Sequence, residues 1–253
     1  MECWYMSGAG NDFMVIDARG KTLDFAELAV KLCRKTGADG FMAVDVSEQA
    51  DFRLHFYNSD GSRGEMCGNG SRCVCKFAYD HGIAGAEMTV QTDAGIVRGW
   101  RLDENEYRVK LNPPSVVDLH RKGDIAYVEL GEPGVPHAVA EIPDLKWEDR
   151  DALRERARQL RFDPAFPKGA NVNFYAWLDE SRIRILTFER GVEDYTLACG
   201  TGSASTAVAL HRGGKLPGCA LTVENPGGTL QVALEGEQVF LTGPAVVLEI
   251  SEE

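Results

Sequence analysis

The sequence predicts an α/β protein of the α+β type, made of two related lobes, and three observations carry that prediction. Short strand-like stretches bounded by turn formers recur along the whole chain. Only four segments carry a helical pattern, and one sixteen-residue stretch occurs twice, half a chain apart. At 253 residues the chain fits one large domain or two small ones, and it can bury a core without disulfide or metal staples. With 39 acidic against 27 basic side chains, the net charge of −12 argues against a nucleic-acid surface and against an anionic membrane face. No apolar run reaches the ~18 residues of a membrane-spanning helix. The start, Met1-Glu2-Cys3-Trp4-Tyr5, lacks the basic and apolar regions of a signal peptide. Seven cysteines without a Cys-x-x-Cys pair read as reduced thiols of a cytoplasmic protein, not as a disulfide scaffold.

In chain order, strands are expected at 13–17, 52–57, 88–92, 108–111, 126–130, 172–178 and 183–188, then at 221–223, 230–234, 239–241 and 246–250. Most are rich in β-branched or aromatic residues and end at Gly, Asp or Asn. The first helix, 25–36, carries Phe25, Leu28, Ala29 and Leu32 at i, i+3, i+4 and i+7, and stops at Gly37. A charged amphipathic helix is expected at 149–160. The other two, 68–80 and 200–212, each open directly after a cysteine.

Those two openings are the repeat. Cys67–Gly82 and Cys199–Gly214 align without gaps 132 residues apart and agree at five of sixteen positions: the Cys, the next Gly, the following Gly-Ser and the last Gly. Each copy follows an apolar strand with a polar turn and precedes a Thr-Val strand. A single Cys-Gly-x-Gly would be a glycine turn with a buried thiol; two copies at matched positions point to function. A glycine turn opening a helix leaves backbone N–H groups aimed outward, where they favour anions. A cysteine there becomes a usable base, because its thiolate is stabilised. Two such thiols on opposite faces of a substrate are what inversion at an acidic carbon requires: one removes a proton while the other supplies one. An amino-acid α-carbon is a poor acid, so without pyridoxal phosphate the carbanion needs donors aimed at its carboxylate.

The chain resembles the diaminopimelate epimerase family. The resemblance rests on Gly8-Ala9-Gly10-Asn11-Asp12-Phe13, on Asn58-Ser59-Asp60-Gly61-Ser62, and on Glu65-Met66-Cys67-Gly68-Asn69-Gly70-Ser71-Arg72-Cys73. Pro136-His137-Ala138-Val139, Asn171-Val172-Asn173-Phe174, Glu189-Arg190-Gly191 and Leu197-Ala198-Cys199-Gly200-Thr201-Gly202 complete it. It implies two pseudo-symmetric lobes, each an antiparallel or mixed sheet wrapped round a central helix, with the active site in the cleft between them. The first lobe would take residues 1–113 plus a C-terminal strand at about 242–253, the second 114–241. The implied reaction interconverts LL- and meso-diaminopimelate in lysine and peptidoglycan precursor synthesis, with no cofactor and no metal, in a homodimer.

By the same resemblance, Cys67 and Cys199 are the acid/base pair, and His137 and Glu189 serve the catalysis. Asn11, Asn58 and Asn171 hold the ends of the substrate, the helix starts Gly68-Asn69 and Gly200-Thr201 receive carboxylate, and Glu189 with Arg190 binds ammonium and carboxylate. The chain departs from the family pattern at Ser7, at Tyr195 and at Val135, where an Asn often stands, so no contact is assigned to Val135. Two other readings stay open: an epimerase or racemase of another amino acid, and a non-catalytic thiol or metal-binding protein. Cys3, Cys33, Cys73, Cys75 and Cys219 are expected to be structural. The spacing of Cys67, Cys73 and Cys75 does not match a zinc site. Gly8-x-Gly10 lacks the remainder of a dinucleotide fingerprint.

Overall fold

A computed structural model describes residues 1–64 and 67–252. Glu65 and Met66 of the first thiol motif lie outside the described residues. The chain separates into two compact units: Met1–Lys110 with the segment from Thr242 onward, and Leu111–Leu241.

The first unit opens with β1 (Glu2–Ser7) and β2 (Asp12–Asp17), followed by α1 (Phe25–Thr36). Helix α1 begins where the Asp24 carboxylate accepts the Glu27 N–H at 3.0 Å. It stops at Gly37, whose φ of 79° lets its N–H reach the Cys33 carbonyl at 2.7 Å. Then come β3 (Gly40–Asp45), β4 (Phe52–Asn58), β5 (Arg63–Gly64), α2 (Gly68–Asp80), β6 (Glu87–Thr92), β7 (Gly95–Arg101) and β8 (Glu106–Leu111). β1 pairs antiparallel with β2 and with the C-terminal strand Val246–Glu252. β2 runs parallel to β3, β3 antiparallel to β4, and β4 parallel to β6, which continues antiparallel into β7 and β8.

Both parallel pairs need a crossover, and α1 and α2 supply them. Ala29, Leu32 and Cys33 of α1 pack on Met14, Ile16, Phe41 and Ala43, one face of β2 and β3. The alternate residues Phe13 and Met42 meet α2 at Gly70 on the other face. These strands are therefore covered on both sides, and Phe13–Ile16 and Phe41–Val44 are buried without a break. Residues 40–45 carry no alternation for that reason, and no strand is expected there from sequence. Helix α2 is buried from Gly68 to Ala78. Within it the fully buried Arg72 donates to the carbonyls of Gly68 and Pro244, each at 3.3 Å, and to Asn69 Oδ1 at 3.1 Å. Its guanidinium thus ties the first turn of α2 to the C-terminal segment of its own unit.

The second unit repeats this plan. It runs β9 (Pro114–Lys122), β10 (Ile125–Leu130), β11 (Val135–Glu141), α3 (Arg150–Arg161), β12 (Asn171–Asp179), β13 (Arg182–Glu189), β14 (Asp194–Thr196), α4 (Gly200–Arg212), β15 (Ala220–Asn225), β16 (Gly228–Glu235) and the first part of β17 (Gln238–Pro244), whose last three residues belong to the first unit. β11 is parallel to β12 across α3, as β2 is to β3 across α1. β13 is parallel to β15 across α4, as β4 is to β6 across α2. The sixteen-residue repeat is thus the sequence trace of a duplication in the whole topology.

Helix α4 is nearly enclosed, touching β9, β10, β11, β12, β15 and β16. Its Ser203, Ala204, Ser205, Thr206 and Ala207 are all buried, and side chains this small let the strands close round it. On the opposite face, α3 buries Ala157 and Leu160 with Ala138, Ala140, Val172 and Phe174. β11 contains Pro136, a residue that argues against a strand interior. The parallel ladder to β12 begins only at His137, so no bond to β12 is lost at the proline.

Cys73 and Cys75 are buried in α2, and loss of solvent pushes both thiols up to about 12, so they stay protonated. Cys3 and Cys33 are also core residues. Cys219 corrects the sequence reading, which made it structural: it is exposed, immediately before β15.

Candidate active site

Each unit assembles its own half of the predicted residues at the start of its buried helix. In the first unit Cys67 is the N-cap of α2, with extended backbone (φ −131°, ψ 121°). Its sulfur accepts the Gly70 N–H at 3.5 Å, and its carbonyl accepts the Ser71 N–H at 2.7 Å. The thiol also lies 3.6 Å from Asn11 Oδ1, to which it donates. Asn11 is oriented by Asp39, whose carboxylate accepts its amide at 2.6 Å and the Asp12 N–H at 2.9 Å. Asn69, next to Gly68 in the first turn, reaches the same Asn11 oxygen at 3.5 Å.

The loop carrying Asn11 is pressed onto the helix start. A side chain at Gly8 would meet the Asn69 carbonyl at 2.8 Å, and Ala9 takes the left-handed φ of 61° that an L-residue adopts at a cost of about 1 kcal/mol or more. Asn58 closes the turn after β4, donating from its amide to Ser62 Oγ at 2.9 Å, while the adjacent Ser59 N–H bonds the Asp39 carbonyl. Asp39 therefore links both asparagine loops, and sequence reading missed it. The signal was its place immediately before the buried Gly40, where the parallel strand begins.

In the second unit Cys199 is the N-cap of α4 (φ −120°, ψ 109°). Its sulfur accepts the Gly202 N–H at 3.4 Å and lies 3.5 Å from the Thr201 hydroxyl; its carbonyl accepts the Ser203 N–H. Cys199 is buried, whereas Cys67 is half-buried. Asn171 uses both ends of its amide on the protein, donating to the Pro136 carbonyl at 3.0 Å and accepting the Arg190 N–H at 2.8 Å. Arg190 is exposed and donates to the Lys168 carbonyl at 3.0 Å. Glu189, at the end of β13, accepts the Thr196 hydroxyl at 3.0 Å.

His137 is fully buried in β11, and desolvation, reinforced by the Arg190 charge, lowers its pKa to about 3. It is neutral at any working pH. Its neighbour in the network is Asn173, a buried residue with no role assigned from sequence. The unfolded chain protonates this ring near pH 6.5. The stability gained by keeping it neutral is therefore complete above that pH and is lost as pH falls through 6.5 toward 3, at ~1.4 kcal/mol per pH unit. Urea unfolding at neutral pH and at about pH 5 should show wild type losing about 2 kcal/mol more than His137→Gln. Equal losses would mean the ring is protonated in the native protein.

This repeated fold is shared with solved structures. A Bacillus anthracis phenazine biosynthesis protein of the PhzF family superposes with a TM-score of 0.74 at 17% identity, covering 100% of this chain and 98% of that one. A hydroxyproline epimerase from Agrobacterium vitis gives 0.72 at 18% identity, covering 99% and 90%. The class is thus that of the fold common to PhzF proteins and to epimerases of this kind. Sequence narrows it. The family model described as diaminopimelate epimerase matches residues 3–117 and 131–248. The chain is 37% identical to the diaminopimelate epimerase of Aquifex aeolicus over 96% of this chain and 94% of the relative, and 37% identical to that of Chlorobaculum tepidum over 95% and 96%. This chain belongs to the diaminopimelate epimerase family.

Proposed function

We propose that the protein interconverts LL- and meso-diaminopimelate by two-base proton transfer, with Cys67 and Cys199 acting on opposite faces of one α-carbon. The observation that carries this reading is the pair of matched half-sites: in two topologically equivalent helices a cysteine is the N-cap and accepts a glycine N–H on its sulfur. Such a donor, with the helix dipole behind it, stabilises thiolate over thiol. Whichever sulfur carries the proton acts as acid, and the reverse reaction exchanges the roles.

The first-turn N–H groups at Gly68-Asn69 and Gly200-Thr201 take the carboxylate of the reacting centre and the charge that grows on it. Arg190 supplies a planar fork for the distal carboxylate, and Glu189 an acceptor for ammonium. Asn11 and Asn58 hold the substrate from the first unit. Asn171 acts at the same site by setting the Arg190 backbone and the Pro136 carbonyl of β11. The chemistry falls to the protein's own residues, with no cofactor or metal, in a cytoplasmic homodimer where thiols stay reduced.

Incubating the protein with LL-diaminopimelate in D₂O should yield meso product carrying deuterium at the inverted carbon. Inversion of another amino acid, with diaminopimelate untouched, would replace the substrate assignment. No inversion of any substrate would leave a thiol protein without this activity.

A further inference from the structure

Register identifies equivalent positions in the two units. Val15 pairs with Met42 and Met42 with Phe56 in the first; Val139 pairs with Asn173 and Asn173 with Thr187 in the second. Met42 lies beneath Gly70 and Asn173 beneath Gly202, the same glycine of the two thiol motifs. Two residues before Val15 is Phe13, and two before Val139 is His137. By register the second unit thus carries His137, Asn173 and Thr187 where the first carries Phe13, Met42 and Phe56, with Met42 and Phe13 directly against Gly70 and Asn173 and Thr187 directly against Gly202. The fold is satisfied by an apolar trio at these positions, so the polar trio serves something other than packing.

The polar trio has one consistent hydrogen-bond assignment. Asn173 Nδ2 lies 3.1 Å from the Ala138 carbonyl and 3.5 Å from the Asn171 carbonyl, both obligate acceptors, so this end of the amide is the NH₂. The other end accepts from the Thr187 hydroxyl at 2.9 Å. The same NH₂ is 3.1 Å from His137 Nδ1, which must then be the unprotonated nitrogen. The ring proton therefore sits on Nε2, which is buried and has no hydrogen-bond partner among the described residues. A donor kept dry and unpaired is costly, and a structural histidine would avoid that cost by pairing.

We propose that Asn173, held by Thr187 and Ala138, is a positioning residue that fixes His137 as a neutral Nε2–H donor, reserved for negative charge that forms in this half-site during turnover. The ring then serves as a hydrogen-bond donor and not as a proton acceptor. This rests on the epimerase reading for its kinetic part, but the tautomer itself can be read without substrate. The ¹⁵N spectrum of histidine-labelled wild type should show one neutral imidazole with its proton on Nε2 and a bare Nδ1. A His137 signal with the proton on Nδ1 overturns the proposal, whatever the protein catalyses.

Asn173→Asp keeps the acceptor for Thr187 but offers His137 only a carboxylate, so the proton should move to Nδ1. kcat for epimerisation should fall about 10–100-fold while KM changes little. Should that variant not fold, Asn173→Met installs the side chain found at the equivalent position of the first unit. It should lose the single tautomer and show the same split between kcat and KM. Unchanged kcat in a folded variant whose tautomer has shifted also overturns the proposal. Absence of epimerisation in wild type, with the Nε2–H tautomer present, would instead count against the epimerase reading.

Discussion

Cys67→Ser and Cys199→Ser should each retain the fold and lose inversion by about 10²–10⁴-fold. Serine is a good N-cap, and its oxygen can accept the N–H of Gly70 or Gly202 that the sulfur accepts now. The capping contribution of about 1 kcal/mol is thereby preserved, and only the acidity of the group changes. Two thiols working from opposite faces make a sharper expectation. Each variant still holds one thiol, so it should exchange the α-proton of one stereoisomer with solvent, and the two variants should differ in which isomer that is. Proton exchange followed by NMR in D₂O separates this from inversion measured by chiral chromatography. Full inversion in either variant would defeat the two-base mechanism. Exchange of the same isomer by both would defeat the assignment of the thiols to opposite faces.

Gly202→Ala should be far more damaging than Gly70→Ala, although the two glycines are equivalent in the repeat. A methyl at Gly70 runs into the end of the Met42 side chain, with Phe13 Cζ at 3.4 Å. A thioether is unbranched and can turn aside. A methyl at Gly202 runs into Asn173 Oδ1, with Thr187 Oγ1 at 3.2 Å and Cys199 Cβ at 3.3 Å. That oxygen cannot move without breaking the buried bond to Thr187 and the amide bonds to Ala138 and His137. Overpacking costs about 1–3 kcal/mol and an unsatisfied buried polar group a similar amount, against a gain of up to ~1 kcal/mol from replacing glycine in a helix. Urea unfolding should show a loss of about 3 kcal/mol for Gly202→Ala and about 1 kcal/mol for Gly70→Ala. Comparable losses would mean that the network beneath Cys199 is soft.

Much of the fold is legible because its signals are local. The apolar stripe of 25–36, with Asp24 before it and Gly37 after it, contains the whole physics of α1, and the observed helix has those bounds. The Cys-Gly-x-Gly openings are equally local, and both helices begin at the residue after the cysteine. Strands β1, β3, β5, β7, β9, β11 and β14 were not legible, and β3 and β11 show why. One is buried on both faces and lacks alternation; the other contains a proline whose harmlessness depends on where the ladder to β12 begins.

The candidate site divides along the same line. Cys67, Cys199 and the glycines beside them can be assigned from sequence because a cap, a turn and the following helix are contiguous in the chain. Asp39 and the trio of His137, Asn173 and Thr187 could not be. Their partners stand 14 to 36 residues away, on or beside neighbouring strands, and only strand pairing brings them into hydrogen-bond distance. By itself the sequence determined that this protein has two related halves, each with a thiol at the start of a buried helix. Tertiary structure alone decided that one of those helix starts rests on apolar side chains, Met42 and Phe13, and the other on polar ones, Asn173 and Thr187. Which side chains share a sheet face depends on register between distant strands, and a shift of one residue would turn every one of them away.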